Sequence, residues 1–492
     1  MSERVPLLLD RIRAAILRDP AAPAFLGGGP EISYGSMRAL IANMIELLAG
    51  RGVRTGQVVA LTMSQSPLHV ITFLALARMG AVSMSVNPIA READRVALYR
   101  RFGVTAVVSE REDAGSPGVA LILVKGIGAR GDEAGLDSWE YEPVGATPMR
   151  IALTSGTVGE QKGIEQTHEA FARRMDRRFY GDTARPRVMP PNLHVTASLT
   201  LACHALATGG AVVFPPGYDA VNFLTTVARM AVTHVTLPPS HLALMLPAVR
   251  GDAPAFPGVT HLRLLGATPA PAFLDLVRRK FTPNIFVPYS TIETGVISIA
   301  TPQILAQAPE SSGRVAPDSQ LEVIGQDGRV AAPNTVGEIR VRVPGMATGY
   351  LGGVDAGRFR DGWFHPRDSG YVSHDGLVFV KGRMDEIINV GGRKLSPRHA
   401  EAILEEHPGV AEAAVFELDA ADRAARLAAL IVPLGRPIDW EALAKFARGR
   451  LEILAPESYF EIERLPRNAL GKLQRDELRE LAAGASLRYP AK

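Results

Sequence analysis

Apolar residues recur at helical spacing at Met37, Leu40, Ile41, Met44, Ile45 and Leu48, and Gly50 and Gly52 end that run before a strand-like stretch at 58–63. A helix over 67–79 comes next, opening on Pro67 and closing before Gly80. Then come an apolar run at 81–86, a helical pattern at 92–102 and a β-rich stretch at 104–109. Strands alternating with helices of this length predict βαβ units and a mostly parallel sheet covered on both faces. The alternation returns around strands at 211–214, 233–237, 261–265 and 284–288, which predicts a second α/β lobe. From 311 to 342 the pattern shifts to short strands punctuated by Gly325, Asp327, Gly328 and Gly337, the signature of a β-rich subdomain. Beyond Arg383 it changes again, to a helix at 397–406, strands at 410–418 and 427–433 and a helix at 440–451. The fold class expected is therefore α/β: a large N-terminal domain over 1–384, made of two α/β lobes and a β-rich subdomain, then a small α+β domain over 385–492.

Composition removes several function classes. Lys and Arg total 54 against 51 Asp and Glu, a net charge of +3, so no basic surface dedicated to nucleic acid is expected. Cys203 is the sole cysteine, which excludes an intrachain disulfide and fits a reducing cytoplasm. The apolar run at 5–9 meets Arg11, Arg13 and Arg18 where a signal peptide would stay apolar. The stretch 195–214 carries no formal charge and is long enough to span a bilayer, yet it holds His204, several threonines and Gly209 with Gly210. It reads as buried core, and no membrane span is expected.

The most informative segment is 153–163, with Thr154, Ser155, Gly156, Thr157, Gly159 and Lys162 after the β-like run 150–153. Glycines let backbone N–H groups close on phosphate oxygens, hydroxyls add donors, and lysine adds a mobile positive charge. The GxxxxGK[ST] spacing of a Walker loop is absent. Taken alone, this run reads equally as a phosphate loop or as a flexible surface turn.

With its neighbours it resembles the adenylate-forming superfamily of acyl- and aryl-CoA synthetases, peptide-synthetase adenylation domains and firefly luciferase, whose phosphate loop reads TSGTTGxPKG. Further matches occur in family order: Tyr289 to Glu293 against YGxTE, Gly337 and Glu338 with Gly349 and Tyr350 against GEI…GY, and Gly362 and Trp363 to Asp368 against GWxxTGD. Gly382 to Asp385 match GRxKD, and Pro466 to Arg475 match PxxxxGKxxR. The resemblance implies an ATP-dependent ligase that makes an acyl-adenylate and passes the acyl group to a thiol, with ATP, Mg²⁺ and coenzyme A taking part. Thr154, Ser155, Gly156, Thr157, Gly159 and Lys162 would hold phosphates, Thr154 beside the reacting centre. Tyr289 would stack on adenine beside Gly266, Ala267, Ser290 and Thr291, and Glu293 would hold Mg²⁺, a hard cation suited to oxygen ligands. Asp368 would accept from the ribose hydroxyls with help from Arg383. Lys472 would bridge the carboxylate and the α-phosphate, two anions that repel until a cation joins them. The chain has eight lysines, and Lys162 and Lys472 occupy the two positions that chemistry uses. Asp385 would be the hinge on which a mobile small domain swings to present Gly391 and Gly392 to the pantetheine thiol.

The chain departs from the pattern at several positions. Val158 and Gln161 replace a threonine and a proline of the loop, and Ile292 replaces the threonine of YGxTE, with Thr291 next door as a stand-in. Pro366 and Arg367 stand where Thr-Gly is usual, and His399 where a glutamate is common. Each lost hydrogen bond to a charged oxygen costs about 1.5–3 kcal/mol. A degenerate nucleotide- or acyl-binding relative is the alternative these departures leave open.

His194 precedes a helical apolar segment at the place where many such ligases line the acyl pocket, and it reads equally as a core histidine. Thr196 and Ala197 stand where amino-acid-activating relatives use an aspartate, and the next helix carries no arginine for a second carboxylate. Ala197, Leu199 and Leu201 with Gly266 and Ala267 suggest a neutral acid, aromatic or short-to-medium aliphatic. Coenzyme A is the expected acceptor, with a separate acyl-carrier protein as the alternative, and the protein is expected to be a monomer or homodimer.

Overall fold

In a computed structural model, the described residues are 5–126, 143–154, 161–175, 184–251, 253–266, 269–386, 388–390, 393–418, 426–434, 437–467 and 473–489. The first sheet runs Ala120–Leu123, Val104–Ser109, Val58–Thr62, β1 (Val82–Ser85), β2 (Pro148–Leu153) and β3 (Gly163–Thr167). Its strands are parallel through β2, and β3 closes the edge antiparallel. Gly163 sits at a crowded point of that edge, since a Cβ there would lie 2.5 Å from the Phe102 ring.

Three helices position the candidate site: α1 (Pro67–Met79), α2 (His168–Met175) and α3 (Thr196–Ala207). Ten of the thirteen residues of α1 are buried, as a helix apolar on nearly every side requires, and Gly80 ends it in the left-handed conformation at φ 68°. The uncharged stretch read as core folds as α3 and the strand Ala211–Val213, both largely buried. No helix among the described residues is long and apolar enough to cross a membrane.

The second sheet runs Ile32–Ser33, Pro23–Leu26, Ala211–Val213, Arg187–Met189, His234–Leu237, His261–Leu264, β4 (Ile285–Thr291), β5 (Gly295–Ala300) and Arg314–Val315. Its six central strands are parallel, and β5 turns back antiparallel on β4. One core joins the two sheets: Leu61 and Val108 from the first, Phe25 and Val212 from the second, with Phe73 and Leu74 of α1 and Leu199 and Leu206 of α3. Helices α1 and α3 are thus shared by both α/β lobes, the two lobes that the alternation of elements predicts.

A third sheet supplies the β-rich subdomain, in the order Phe359–Arg360, Trp363–Phe364, Gly337–Arg342, β6 (Asp368–Val372) and β7 (Val378–Arg383), with Gln320–Ile324 paired to Gly337–Arg342. The C-terminal region has its own sheet of Val410–Leu418, Arg426–Pro433, Ser458–Glu461 and Ser486–Tyr489. Helices Pro397–Glu405 and Trp440–Leu451 pack there around Leu404, Val415, Ile431, Leu443 and Tyr459.

Candidate active site

Strands β2 and β4 each lead, at their carboxyl ends, into the segments singled out in the sequence, which is where open α/β sheets leave room for ligands. The Tyr289 hydroxyl near the end of β4 donates to Oδ2 of Asp368, the first residue of β6. Burial and then the Asp368 charge push the Tyr289 phenol well above its usual range, so it stays protonated as the donor. Asp368 is the ladder partner of Arg383, but the Arg383 guanidinium forks instead onto Asp385 at 2.7 and 2.6 Å. That fork raises the Arg383 pKa and helps depress that of Asp385 against its burial.

The turn from β4 to β5 holds Glu293 buried at 7% exposure, where its Oε1 accepts from the Tyr350 hydroxyl at 2.5 Å. Arg174 of α2 clamps this turn from beneath. Its Nη1 donates to the Ile292 carbonyl at 2.8 Å, its Nη2 to the Glu293 carbonyl at 2.6 Å and its Nε to the Gly345 carbonyl at 3.0 Å. The Ala347 amide adds a fourth bond, to the Glu293 carbonyl at 2.8 Å. Thr291 accepts from the Thr294 amide at 3.2 Å and meets its hydroxyl at 3.0 Å, so the stand-in for the missing threonine is engaged within the turn. Ile292 packs its side chain against Ala152, Ile164, Ala347 and Tyr350, and Ser290 is exposed.

On the other side, Thr154 and Lys162 pair where β2 ends and β3 begins: the Thr154 amide donates to the Lys162 carbonyl at 2.8 Å, and the Lys162 amide to Thr154 Oγ1 at 3.0 Å. Ser155, Gly156, Thr157, Val158 and Gly159 lie outside the described residues. The Lys162 ammonium lies 5.2 Å from the Tyr350 ring centre and 2.9 Å from Asp355 Oδ2. Tyr350 therefore stands between the loop lysine and the turn carboxylate. Burial opposes ionisation of Asp355, but Lys162, Arg358 and Arg367 outweigh it and lower its pKa. Arg358 lies 2.9 Å from Asp355 and 3.8 Å from Asp385, so a chain of alternating charges runs from Lys162 to Arg383. Neither Asp355 nor Arg174 carries a motif signal, because each acts on residues far away in sequence.

The remaining predicted residues are more dispersed. His194 is half-buried, its Nε2 has no partner, and burial drives its pKa down to about 4. Thr196 is buried at the start of α3, Ala197 is exposed, and Leu199 and Leu201 belong to the core between the lobes rather than to an open pocket. Gly266 is exposed with φ 91°, and Ala267 lies outside the described residues. Arg367 adopts φ 60°, and its carbonyl accepts from the Met384 amide at 2.7 Å; His399 is exposed. Lys472, Gly391 and Gly392 are outside the described residues as well. The flanking Leu473 is bridged to Arg467, and Arg475 ties Glu386 at 3.1 Å to Glu401 at 2.8 Å.

A buried carboxylate such as Glu293 is an oxygen donor of the kind that suits a hard divalent cation. Among the described residues, no group of three or more His, Cys, Asp or Glu side chains converges to hold a metal.

The sequence profile of the AMP-binding enzymes matches residues 12–351, and that of the AMP-binding enzyme C-terminal domain matches 399–472. The chain belongs to the AMP-binding enzyme family. Among relatives of this family, the indoleacetate–CoA ligase of Aromatoleum aromaticum is 27% identical, over 92% of this chain and 94% of its own. The 4-chlorobenzoate–CoA ligase of an Arthrobacter species is 28% identical, over 94% and 93% respectively. The fold matches that of the o-succinylbenzoate–CoA synthetase of Bacillus subtilis in complex with its acyl-adenylate intermediate, with a TM-score of 0.84 at 22% identity over 100% of both chains.

Proposed function

We propose that the cleft between the β4–β5 turn and the end of β2 adenylates a carboxylic acid and that the protein then transfers the acyl group to the thiol of coenzyme A. By family and by its curated relatives the chain is an AMP-forming acid–CoA ligase. The observation that carries the site reading is the placement of Tyr350 between Lys162 and Glu293. Lys162 would supply the cation for phosphate oxygens and Glu293 the carboxylate for Mg²⁺, and the charge of Glu293 also acts on Tyr289 of the Tyr289–Asp368 pair.

In the first step a carboxylate oxygen bonds to the α-phosphorus of ATP as the bond to pyrophosphate breaks, and pyrophosphate leaves with the electron pair. Lys162 and the Thr154 hydroxyl would hold the phosphates in line, Asp368 the ribose hydroxyls, and Tyr289 with Gly266, Ala267, Ser290 and Thr291 the base. Mg²⁺, when bound at Glu293, supplies charge neutralisation of the phosphates. Lys472 would draw the carboxylate and the α-phosphate together. In the second step the thiol sulfur bonds to the acyl carbon, the acyl–phosphate oxygen bond breaks, AMP departs and the thiol proton goes to solvent. For that step the small domain, 385–492, would turn about Asp385 to bring Gly391 and Gly392 to the pantetheine. The Arg383–Asp385 fork and the Arg358–Asp385 contact are the restraints this turn would break.

The indoleacetate and 4-chlorobenzoate ligases act on acids with aromatic bodies, and for this chain the acid would likewise have an apolar body, aromatic or short-to-medium aliphatic, with His194, Thr196 and Ala197 beside it. The lone buried Cys203 suits a reducing cytoplasm. The test is Lys472→Ala: acyl-dependent ATP–pyrophosphate exchange should vanish while ATP binding stays within a few-fold of wild type. Unchanged exchange would remove Lys472 from the reaction. Adenylate that forms without consuming coenzyme A would direct the acceptor search to a carrier protein.

A further inference from the structure

Arg150, in the middle of β2, is 1% exposed, yet no carboxylate among the described residues pairs with it and its Nη1 has no hydrogen-bond partner. On the ladder it stands opposite Ser83 of β1 and Gln166 of β3, so these three side chains share one face of the first sheet. Neither polar atom of the Gln166 amide has a partner. Toward the helices, Arg150 lies in the electrostatic reach of Cys203 on α3 and of His69 on α1, and His69 in turn feels His194. His69 Nδ1, His194 Nε2 and Ser198 Oγ are likewise buried without partners.

The charges around this cluster do not balance. Burial lowers the Arg150 pKa only to about 10, so the guanidinium is positive at neutral pH. Burial also raises the Cys203 thiol, leaving it neutral, and lowers His69 to about 3 and His194 to about 4, leaving both uncharged. Among the described residues, the groups within electrostatic reach of Arg150 therefore supply donors and acceptors but no negative charge. A buried cation without a counter-charge is costly, and such groups concentrate at sites where a ligand completes the pair. On the acid-activating reading His194 would lie beside the acyl group, and its electrostatic coupling to His69 links that position to this cluster.

We propose that the acid carries a second anionic group at the end remote from the activated carboxyl, and that Arg150 receives it, with His194, Ser198 and Gln166 completing its hydrogen bonds. The inference rests on the acid-activating reading of the cleft and narrows it: an apolar body would end in a carboxylate or a like oxyanion. A search for an arginine confined to the helix after His194 does not find this residue, because it is a strand residue more than forty positions earlier.

The experiment compares matched acids, octanoate with suberate and 3-phenylpropanoate with its 4-carboxy derivative, by ATP–pyrophosphate exchange and, separately, by equilibrium binding to the full chain. Wild type should favour the dianionic member of at least one pair by roughly 10–100-fold in kcat/KM, the range expected when a hydrogen-bonded charge is matched. Arg150→Met should lower that ratio at least tenfold, and Arg150→Lys should keep part of it. A wild-type preference for the neutral acids, unchanged in ratio by Arg150→Met, would overturn the inference. So would an Arg150→Met protein that melts well below wild type but keeps its acid preference, since the arginine would then be structural. Silence from every acid in exchange would count against the acid-activating reading, and the binding arm would still decide whether Arg150 discriminates charge.

Discussion

Replacing Arg174 with methionine keeps the aliphatic stem and removes the fork that grips three carbonyls across two distant loops. The Arg174 side chain is 5% exposed and spends three N–H groups on Ile292, Glu293 and Gly345 at 2.6–3.0 Å. Hydrogen bonds from a charged donor contribute about 1.5–3 kcal/mol each. Water can refill the half-exposed sites, and the Glu293 carbonyl keeps its bond from the Ala347 amide, so the lower end of that range applies and the net loss is roughly 3 kcal/mol. That is a large part of the 5–15 kcal/mol that holds a typical domain together. Because the clamped turn carries Glu293, a shift of about 1 Å there should also cost up to about 100-fold in activity. Urea denaturation of the purified variant should show the lower midpoint, and a Mg²⁺ titration of ATP–pyrophosphate exchange should show the raised metal requirement. Arg174→Lys should fall between. A methionine variant with wild-type midpoint and wild-type Mg²⁺ dependence would refute the clamp.

Asp368→Asn should raise the KM for ATP by at least about tenfold, since the charged acceptor proposed for the two ribose hydroxyls becomes a neutral one, and should change the acid KM little; equal shifts in both would place Asp368 outside the nucleotide site. Glu405, on the first helix of the small domain, is held protonated by burial, assisted by Glu401 and opposed by Arg398, with its pKa raised to about 7. Its folded pKa lies above the unfolded value, so its contribution to stability is full below about pH 4.5 and is lost as pH rises toward and through 7, by up to about 3 kcal/mol. Glu405→Gln should flatten the fall in unfolding free energy between pH 5 and 8, and an unchanged slope would remove Glu405 as its source.

Much of the scaffold is legible in the sequence because local rules and global packing agree. Pro67 and Gly80 bracket α1 in sequence and in structure, and the strand periods at 104–109 and 410–418 coincide with Val104–Ser109 and Val410–Leu418. The helix Leu8–Arg18 is less so: Leu8, Ile12, Ala15 and Ile16 form its buried stripe, but its apolar start and arginines draw attention first as a leader to be excluded. The candidate site is legible where it is contiguous: Tyr289 with Glu293, and Thr154 with Lys162. It is hidden where it is built from tertiary contacts, as with Arg174 reaching a turn more than a hundred residues away, or Asp355 meeting Lys162. On α3, Ala197 is exposed while Leu199 and Leu201 lie in the core. Apolar character alone does not say which side of a buried helix lines a cleft.

The central claim is that this chain joins an acid to coenzyme A through an adenylate. The most direct measurement incubates the purified protein with ATP, Mg²⁺ and a panel of aryl and aliphatic acids, with and without coenzyme A, and tracks pyrophosphate, AMP and thioester together. Acid-dependent pyrophosphate release is expected in both arms, with stoichiometric AMP and thioester only when coenzyme A is present. ATP consumed with ADP as product, or no acid-dependent pyrophosphate from any acid while ATP binds normally, would contradict it.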